Sequence, residues 1–376
     1  MPFKVLHIIP SLAKGGAEKL TIDICRELST RMGVEAKILV FENKNEYPAY
    51  TNGLSIEVVP SYVRLRLSGK TEVNTQNLEA AITRFSPDVI HTHLFEAELP
   101  ARWSVQKGVR YFSHAHWNTA ELKRPTLKSL FSKKGVIDFF VYNKLLNQYN
   151  ASQNSFITIS EHTTQYYKEN LPGFESRIHY LPNAINTQSY LPQAPRFIGS
   201  NSKVKLISVG SLIERKNQLL QIQVAARLKR MGVNFELCIV GQGSMKEFLQ
   251  NQINETGLSN EVFLNGPSDN IEDLYRQADI FIHTATYEPF GLVIVEALAA
   301  GLPVVCYNGG GNKELIQSGV NGYLLNSPDP VLFAEKILET MHPATYKSMS
   351  ENAISSAQKY DIVPYVDKLL HLYKSA

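Results

Sequence analysis

Short runs rich in Val, Ile and Leu alternate with longer stretches of helical period along almost the whole chain. A strand that pairs parallel to its predecessor needs a covering crossover between the two, so this grammar commits the chain to parallel sheets with helices on both faces. The runs fall at residues 5–9, 37–41, 56–59, 89–92, 110–113 and 156–159, and then at 205–209, 235–240, 262–264, 280–283, 303–307 and 323–325. Amphipathic stretches such as 17–28 and 218–230 lie between them. The predicted class is α/β.

The pattern stops once. Pro182-Asn183-Ala184-Ile185-Asn186 opens a polar stretch that runs to Ser202 and contains Pro192 and Pro195, which reads as a linker. The 376 residues exceed the roughly 150 of a typical domain, so two cores are expected. After the linker the grammar restarts with an echo of the beginning: a strand, a serine (Ser11, then Ser211), a charged loop and a helix. Two Rossmann-like domains facing a common cleft are predicted, at 1–185 and 186–356. Ligands in such sheets bind beyond the carboxyl ends of the strands, so both first strand-to-helix loops should border that cleft. Residues 357–376 carry Tyr365, Leu369, Leu372 and Tyr373 at helical spacing, a helix that can pack on either domain.

Composition narrows the function classes. Lys and Arg number 38 against 35 Asp and Glu, a balance of +3 that gives no footprint for nucleic acid. The three cysteines lie far apart inside apolar runs, which supports neither a disulfide framework nor a zinc site and fits a reducing cytoplasm. The first apolar run is too short for a signal peptide, and no stretch approaches the ~18 apolar residues of a membrane span. A cytoplasmic protein is expected, at most peripheral on the membrane.

Three segments carry chemistry. The first loop, Lys14-Gly15-Gly16-Ala17-Glu18, precedes a helix whose opening N–H groups suit phosphate oxygens; a tight turn needing positive φ is the plainer account of the two glycines. The matching loop, Gly210-Ser211-Leu212-Ile213-Glu214-Arg215-Lys216-Asn217, sets side by side an Arg fork and a Lys point charge that can neutralise a diphosphate. The strongest is Tyr287-Glu288-Pro289-Phe290-Gly291-Leu292-Val293-Ile294-Val295-Glu296. Its helix is predicted to start near Gly291, with amides at Gly291, Leu292 and Val293 aimed at a phosphate. Glu288 and Glu296 then lie on either side, placed to accept hydrogen bonds from sugar hydroxyls. Together these make a template for a nucleotide sugar.

Glu288-x7-Glu296 within Glu-Pro-Phe-Gly, Gly210 with Arg215-Lys216, Pro182-Asn183-Ala184-Ile185-Asn186, Gly15-Gly16-Ala17-Glu18 and Gly309-Gly310-Gly311-Asn312-Lys313-Glu314 together resemble the retaining glycosyltransferases of family 4, which have the GT-B fold. The resemblance spans nearly the whole chain. It implies that Glu288, with the backbone at Phe290 and Gly291, contacts the donor sugar, that Glu296 contacts the ribose, and that Arg215, Lys216 and Gly16 hold the diphosphate. It also implies that the first domain takes the acceptor, the second takes the nucleotide, and the C-terminal helix returns to the first. The family commonly has Arg after the glycine where this chain has Ser211, and Arg215 is expected to supply that charge.

Four histidines sit at strand ends in the first half: His91 and His93, then His114 and His116. Alternation puts each pair on one face, yet no carboxylate or further ligand has clear metal spacing, so no metal is assigned. By resemblance a His after the later strand contacts the donor sugar, and His116 fits better than His114. Residues 123–134 hold five basic side chains with interleaved Leu and Phe, a segment that can rest on an anionic bilayer while a lipid-linked acceptor enters, or else a solvated helix face.

The resemblance therefore implies a hexosyltransferase that moves a hexose, from UDP by family frequency, to a saccharide or lipid-linked saccharide acceptor in polysaccharide biosynthesis. Retention follows from a same-face displacement in which the leaving diphosphate helps take the acceptor's proton. No Asp-x-Asp pair is present, so no cofactor or metal is expected. Two competitors are set against this reading. A nicotinamide-dependent oxidoreductase is prompted by Gly241-Gln242-Gly243 but has Lys246 at the third glycine position. An inactive sugar-nucleotide-binding or scaffold protein of the same fold would show binding without product.

Overall fold

The computed structural model describes residues 1–64, 71–126, 128, 131–199 and 203–375. Leu127, Ser129 and Leu130 of the basic stretch and residues 200–202 of the expected linker lie outside them. The chain forms two compact units, Met1–Asn183 with Ile362–Ala376, and Ala184–Asp361.

In the first unit the order is β1 (Phe3–Ile9), α1 (Gly16–Ser29), β2 (Val34–Val40), α2 (Pro48–Thr51), β3 (Ile56–Val58), β4 (Tyr62–Arg64), β5 (Glu72–Asn74), α3 (Gln76–Phe85), β6 (Val89–His93), α4 (Phe95–Ala101), β7 (Arg110–Ala115), α5 (Lys133–Ala151), β8 (Ser155–Thr158), α6 (Glu161–Asn170) and β9 (Ile178–Tyr180). Seven strands make one parallel sheet in the order β3-β2-β1-β6-β7-β8-β9, and β4 pairs antiparallel with β5. Strand alternation splits the core: Leu6 and Ile8 of β1 cluster with Leu78 and Ile82 of α3, while Ile9 clusters with Ile22 and Cys25 of α1 on the other face. The sequence reading did not include β4, β5 or β9. Each has three residues.

The second unit runs β10 (Val204–Val209), α7 (Gln218–Arg230), β11 (Phe235–Val240), α8 (Lys246–Glu255), β12 (Val262–Asn265), α9 (Ile271–Gln277), β13 (Ile280–His283), α10 (Leu292–Ala299), β14 (Val304–Tyr307), β15 (Gly322–Leu325), α11 (Pro330–Thr340) and α12 (Pro343–Ala357). Its sheet is parallel in the order β12-β11-β10-β13-β14-β15. Helix α12 packs on α10, and Ser350 donates to the Gly301 carbonyl at 2.7 Å, so the second unit extends past 356 to Asp361.

The last helix, α13 (Ile362–Ser375), belongs to the first unit and packs on α1. Tyr373 makes an edge contact with Phe112 of β7, and Arg31 at the end of α1 pairs with Asp367 at 2.9 Å. In each sheet the order reverses beside the first strand, between β1 and β6 and between β10 and β13. These are the topological switch points, where connections leave in opposite directions and open a crevice for ligand.

Candidate functional site

At the second unit's switch point the loop after β10 is moulded by residues after β13. Thr284 donates to the carbonyls of Lys216 at 3.1 Å and Asn217 at 2.9 Å, and the Thr286 amide donates to the Arg215 carbonyl at 2.9 Å. Asn217 takes a left-handed conformation, φ 50°, which Asn tolerates better than most residues and which turns the chain into α7. These bonds bring Lys216 against Glu288: Lys216 Nζ donates to Glu288 Oε2 at 2.6 Å. The same oxygen receives His283 Nε2, from the end of β13, at 2.9 Å. Arg215 is exposed and forms no ion pair among the described residues.

Glu288 is buried, 7% exposed. Burial opposes its ionisation, but the Lys216 ammonium and the His283 bond prevail and hold the carboxyl at about 2. Burial in turn pulls the His283 imidazole below its ordinary range, which the carboxylate only partly offsets. The Glu288 backbone is clamped from both sides: its amide donates to the Gly309 carbonyl at 2.8 Å, and the Gly311 amide to its carbonyl at 2.9 Å. A side chain at Gly309 would lie 2.9 Å from the Ala285 carbonyl and from Glu288 itself, which explains the glycine. The glycine-rich segment after β14 is therefore the seat of Glu288.

Gly291, at φ 106°, turns the chain into α10, and its carbonyl receives the amides of Ile294 and Val295. The amides of Gly291, Leu292 and Val293 have no backbone acceptor among the described residues and stand at the positive end of the helix. Phe290 is buried edge-on to Tyr360. Glu296, a turn inside, accepts from the Tyr275 hydroxyl at 2.9 Å. Glu288 and Lys216 are thus in direct contact, and the helix expected near Gly291 starts at Leu292. The direct Lys216–Glu288 contact and the part of His283 were missed, because pairing across strands leaves no local signal.

In the first unit Gly15 caps α1 with φ −168°, and neither it nor Gly16 has positive φ, so the tight-turn account of the pair is corrected. A Cβ at Gly15 would meet only the mobile carboxylate end of Glu18, so packing does not require the glycine. Burial raises the Glu18 carboxyl above its ordinary range, aided by Glu96 and Glu46.

The imidazoles are five, not four. His7 pairs in register with His91, and His93 with His114, so the rings of β1, β6 and β7 share one face. His7 Nδ1 lies 2.9 Å from His93 Nε2, and His93 Nδ1 lies 3.0 Å from His116 Nε2. His91 Nδ1 meets the Tyr373 hydroxyl at 2.6 Å and His114 Nε2 meets Asn183 Oδ1 at 3.0 Å. Burial holds all five below the ordinary range, His7 at about 3 and His114 at about 4, so all are neutral near pH 7. His116, just past β7, is half-buried while His114 is buried. The signal for His7 was a lone polar residue inside Val5-Leu6-His7-Ile8-Ile9.

On the opposite face of β6 and β7 lies an ion pair. Arg102, fully buried, sits 3.2 Å from Glu98, which also accepts from Thr92, Ser113 and Tyr149. Neither residue was singled out from the sequence. All five basic side chains of residues 123–134 are exposed, with Phe131, Phe139 and Phe140 beside them, and among the described residues no helix is long and apolar enough to cross a membrane. Gly241 and Gly243 are explained without a dinucleotide. A Cβ on either would lie 2.0 Å from the Gly210 carbonyl or 2.2 Å from that of Leu212, so they let the two loops pack.

Comparison with known proteins bears on family and fold. Residues 14–189 match the family model described as Glycosyltransferase Family 4, and residues 194–357 match Glycosyl transferases group 1. EpsF of Bacillus subtilis, named as a glycosyltransferase, is 24% identical over 384 residues, 98% of this chain and 96% of that protein. The poly(glycerol-phosphate) alpha-glucosyltransferase of the same organism is 29% identical over 230 residues, 60% of this chain and 33% of its own length. Among solved structures, Anabaena HepE in complex with UDP and glucose has a TM-score of 0.78 at 21% identity, with 100% of each chain covered. With two parallel-sheet units of the GT-B class and family models that between them take in most of its length, the chain belongs to the family-4-type glycosyltransferases.

Proposed function

We propose that this glycosyltransferase moves a hexose from a nucleoside diphosphate, UDP in the first instance, to a saccharide or lipid-linked saccharide in polysaccharide biosynthesis, with retention at the anomeric carbon. The observation that carries it is the Lys216 ammonium on buried Glu288, just before a helix start whose amides at 291–293 have no backbone acceptor among the described residues. Cations and N–H donors suit the diphosphate, and a carboxylate suits sugar hydroxyls. HepE, which shares the fold, is described in complex with UDP and glucose.

In this reading the second unit holds the nucleotide, with Glu296 on the ribose. The first unit takes the acceptor, and Gly15, Gly16 and His116 keep the donor contacts that the resemblance implies for them. The bond from the anomeric carbon to the diphosphate oxygen breaks as the acceptor oxygen bonds on the same face, and the acceptor's hydroxyl proton passes to the departing phosphate oxygen. Catalysis then rests on stabilising leaving-group charge, which Lys216, Arg215 and the start of α10 are placed to do. The basic and aromatic flank of α5 would hold the enzyme at the cytoplasmic face of an anionic membrane. The test is a transfer assay with radiolabelled UDP-hexoses and excess chelator. Labelled saccharide product at undiminished rate is expected; saturable donor binding without product would mean a sugar-nucleotide-binding protein instead.

A further inference from the structure

We infer that the carboxyl ends of β6 and β7 form a binding site for a divalent transition-metal ion of the zinc type, with His93, His114 and His116 as its three protein ligands. A ring nitrogen of each lies within 4.8 Å of the others. Zinc ligands at about 2.1 Å stand roughly 3.4 Å apart around a tetrahedron. The 3.0 Å between His93 Nδ1 and His116 Nε2 is about 0.4 Å short of that spacing, which the half-buried His116 opens when the ion replaces their shared proton.

His114 and His116 stack face to face, with ring centroids 4.3 Å apart at 6°, so the half-buried His116 ring turns out of the stack to aim its in-plane lone pair at the ion. Asn183 Oδ1 is an acceptor, so His114 must carry its proton on Nε2, which leaves a bare lone pair on Nδ1. That Nδ1 is buried and has no hydrogen-bond partner. A buried acceptor left unsatisfied costs about 1–3 kcal/mol and calls for an explanation; a metal ion supplies one. With His93 Nδ1 on the ion, His93 Nε2 keeps its proton and donates to His7 Nδ1 at 2.9 Å. His7 and Asn183 thus orient two ligands from behind, as partners of metal-bound imidazoles do. Half-buried His116 gives the way in, and a water completes the fourth position. Resting on the role proposed for His116, an ion bound to that side chain would inhibit transfer.

The test is Zn2+ binding to metal-stripped, full-length protein, by competition with a chromophoric chelator. Wild type is expected to take up one equivalent. His114→Gln and His116→Gln should each weaken it at least tenfold, and Asn183→Ala, which touches no metal, by 10–100-fold, the range for partners of liganding imidazoles. Co2+ should give a tetrahedral visible spectrum that His116→Gln abolishes. Circular dichroism reports folding, and half-buried His116 provides the variant that keeps its fold if His114→Gln does not. No stoichiometric uptake, or unchanged affinity in His116→Gln, overturns the site. Loss in His91→Gln alone overturns it equally, by placing the ion among His7, His91 and His93. These readouts do not involve transfer, so they stand apart from the proposed activity.

Discussion

Lys216 Nζ rests 2.6 Å from Glu288 Oε2, and the carboxylate it meets is buried in the segment between β13 and α10. An ammonium on a buried carboxylate is held in one place at little further entropic cost when substrate arrives, which is how charge is aimed in advance at a leaving group.

Lys216→Ala should therefore lower kcat by about 10²–10³, or about 2.7–4 kcal/mol, the scale of other preorganised anion donors. Steady-state kinetics at saturating donor check this. Turnover near wild type would remove Lys216 from the chemistry.

Glu288 also ties stability to pH. Its carboxyl is lowered from its ordinary 4.5 to about 2. A depressed carboxyl contributes stability that is fully present above the unfolded value and lost as pH falls through the folded one. The contribution is on the order of 3 kcal/mol, present above about pH 4.5 and gone near pH 2. Urea unfolding of wild type and Glu288→Gln between pH 6 and pH 2 should show the wild type's advantage shrinking over that window. Parallel curves would contradict the assigned pairing.

Arg102→Met should destabilise the first unit by about 3–5 kcal/mol, because it leaves the Glu98 carboxylate buried without its cation. Adding Glu98→Gln should restore part of the loss, as residues of one network are not additive. A double variant as unstable as the sum of the singles would show that the ion pair is not the coupled unit.

Neutralising Lys123, Arg124, Lys128, Lys133 and Lys134 should abolish cosedimentation with anionic liposomes. Each basic residue near such a surface contributes about 1 kcal/mol, and all five are exposed. Added salt should have the same effect on wild type. Binding unchanged by both treatments would leave the aromatic side chains of α5, not charge, as the contact.

Residue order alone determined the α/β class, the break near Pro182 and the helix that begins past Gly291, since apolar runs, helical period, proline and positive-φ glycine act on their near neighbours. The Glu288 to Glu296 segment was legible for the same reason. What lies beside what was decided only by the tertiary structure. His7 joins His91 because β1 pairs with β6 rather than with another strand. Lys216 reaches Glu288 across 72 residues because β10 neighbours β13. The glycines at 309–311 clamp Glu288 only once β14 lies alongside β13. Strand order and register arise from the packing of whole faces, and no single stretch of sequence carries that information.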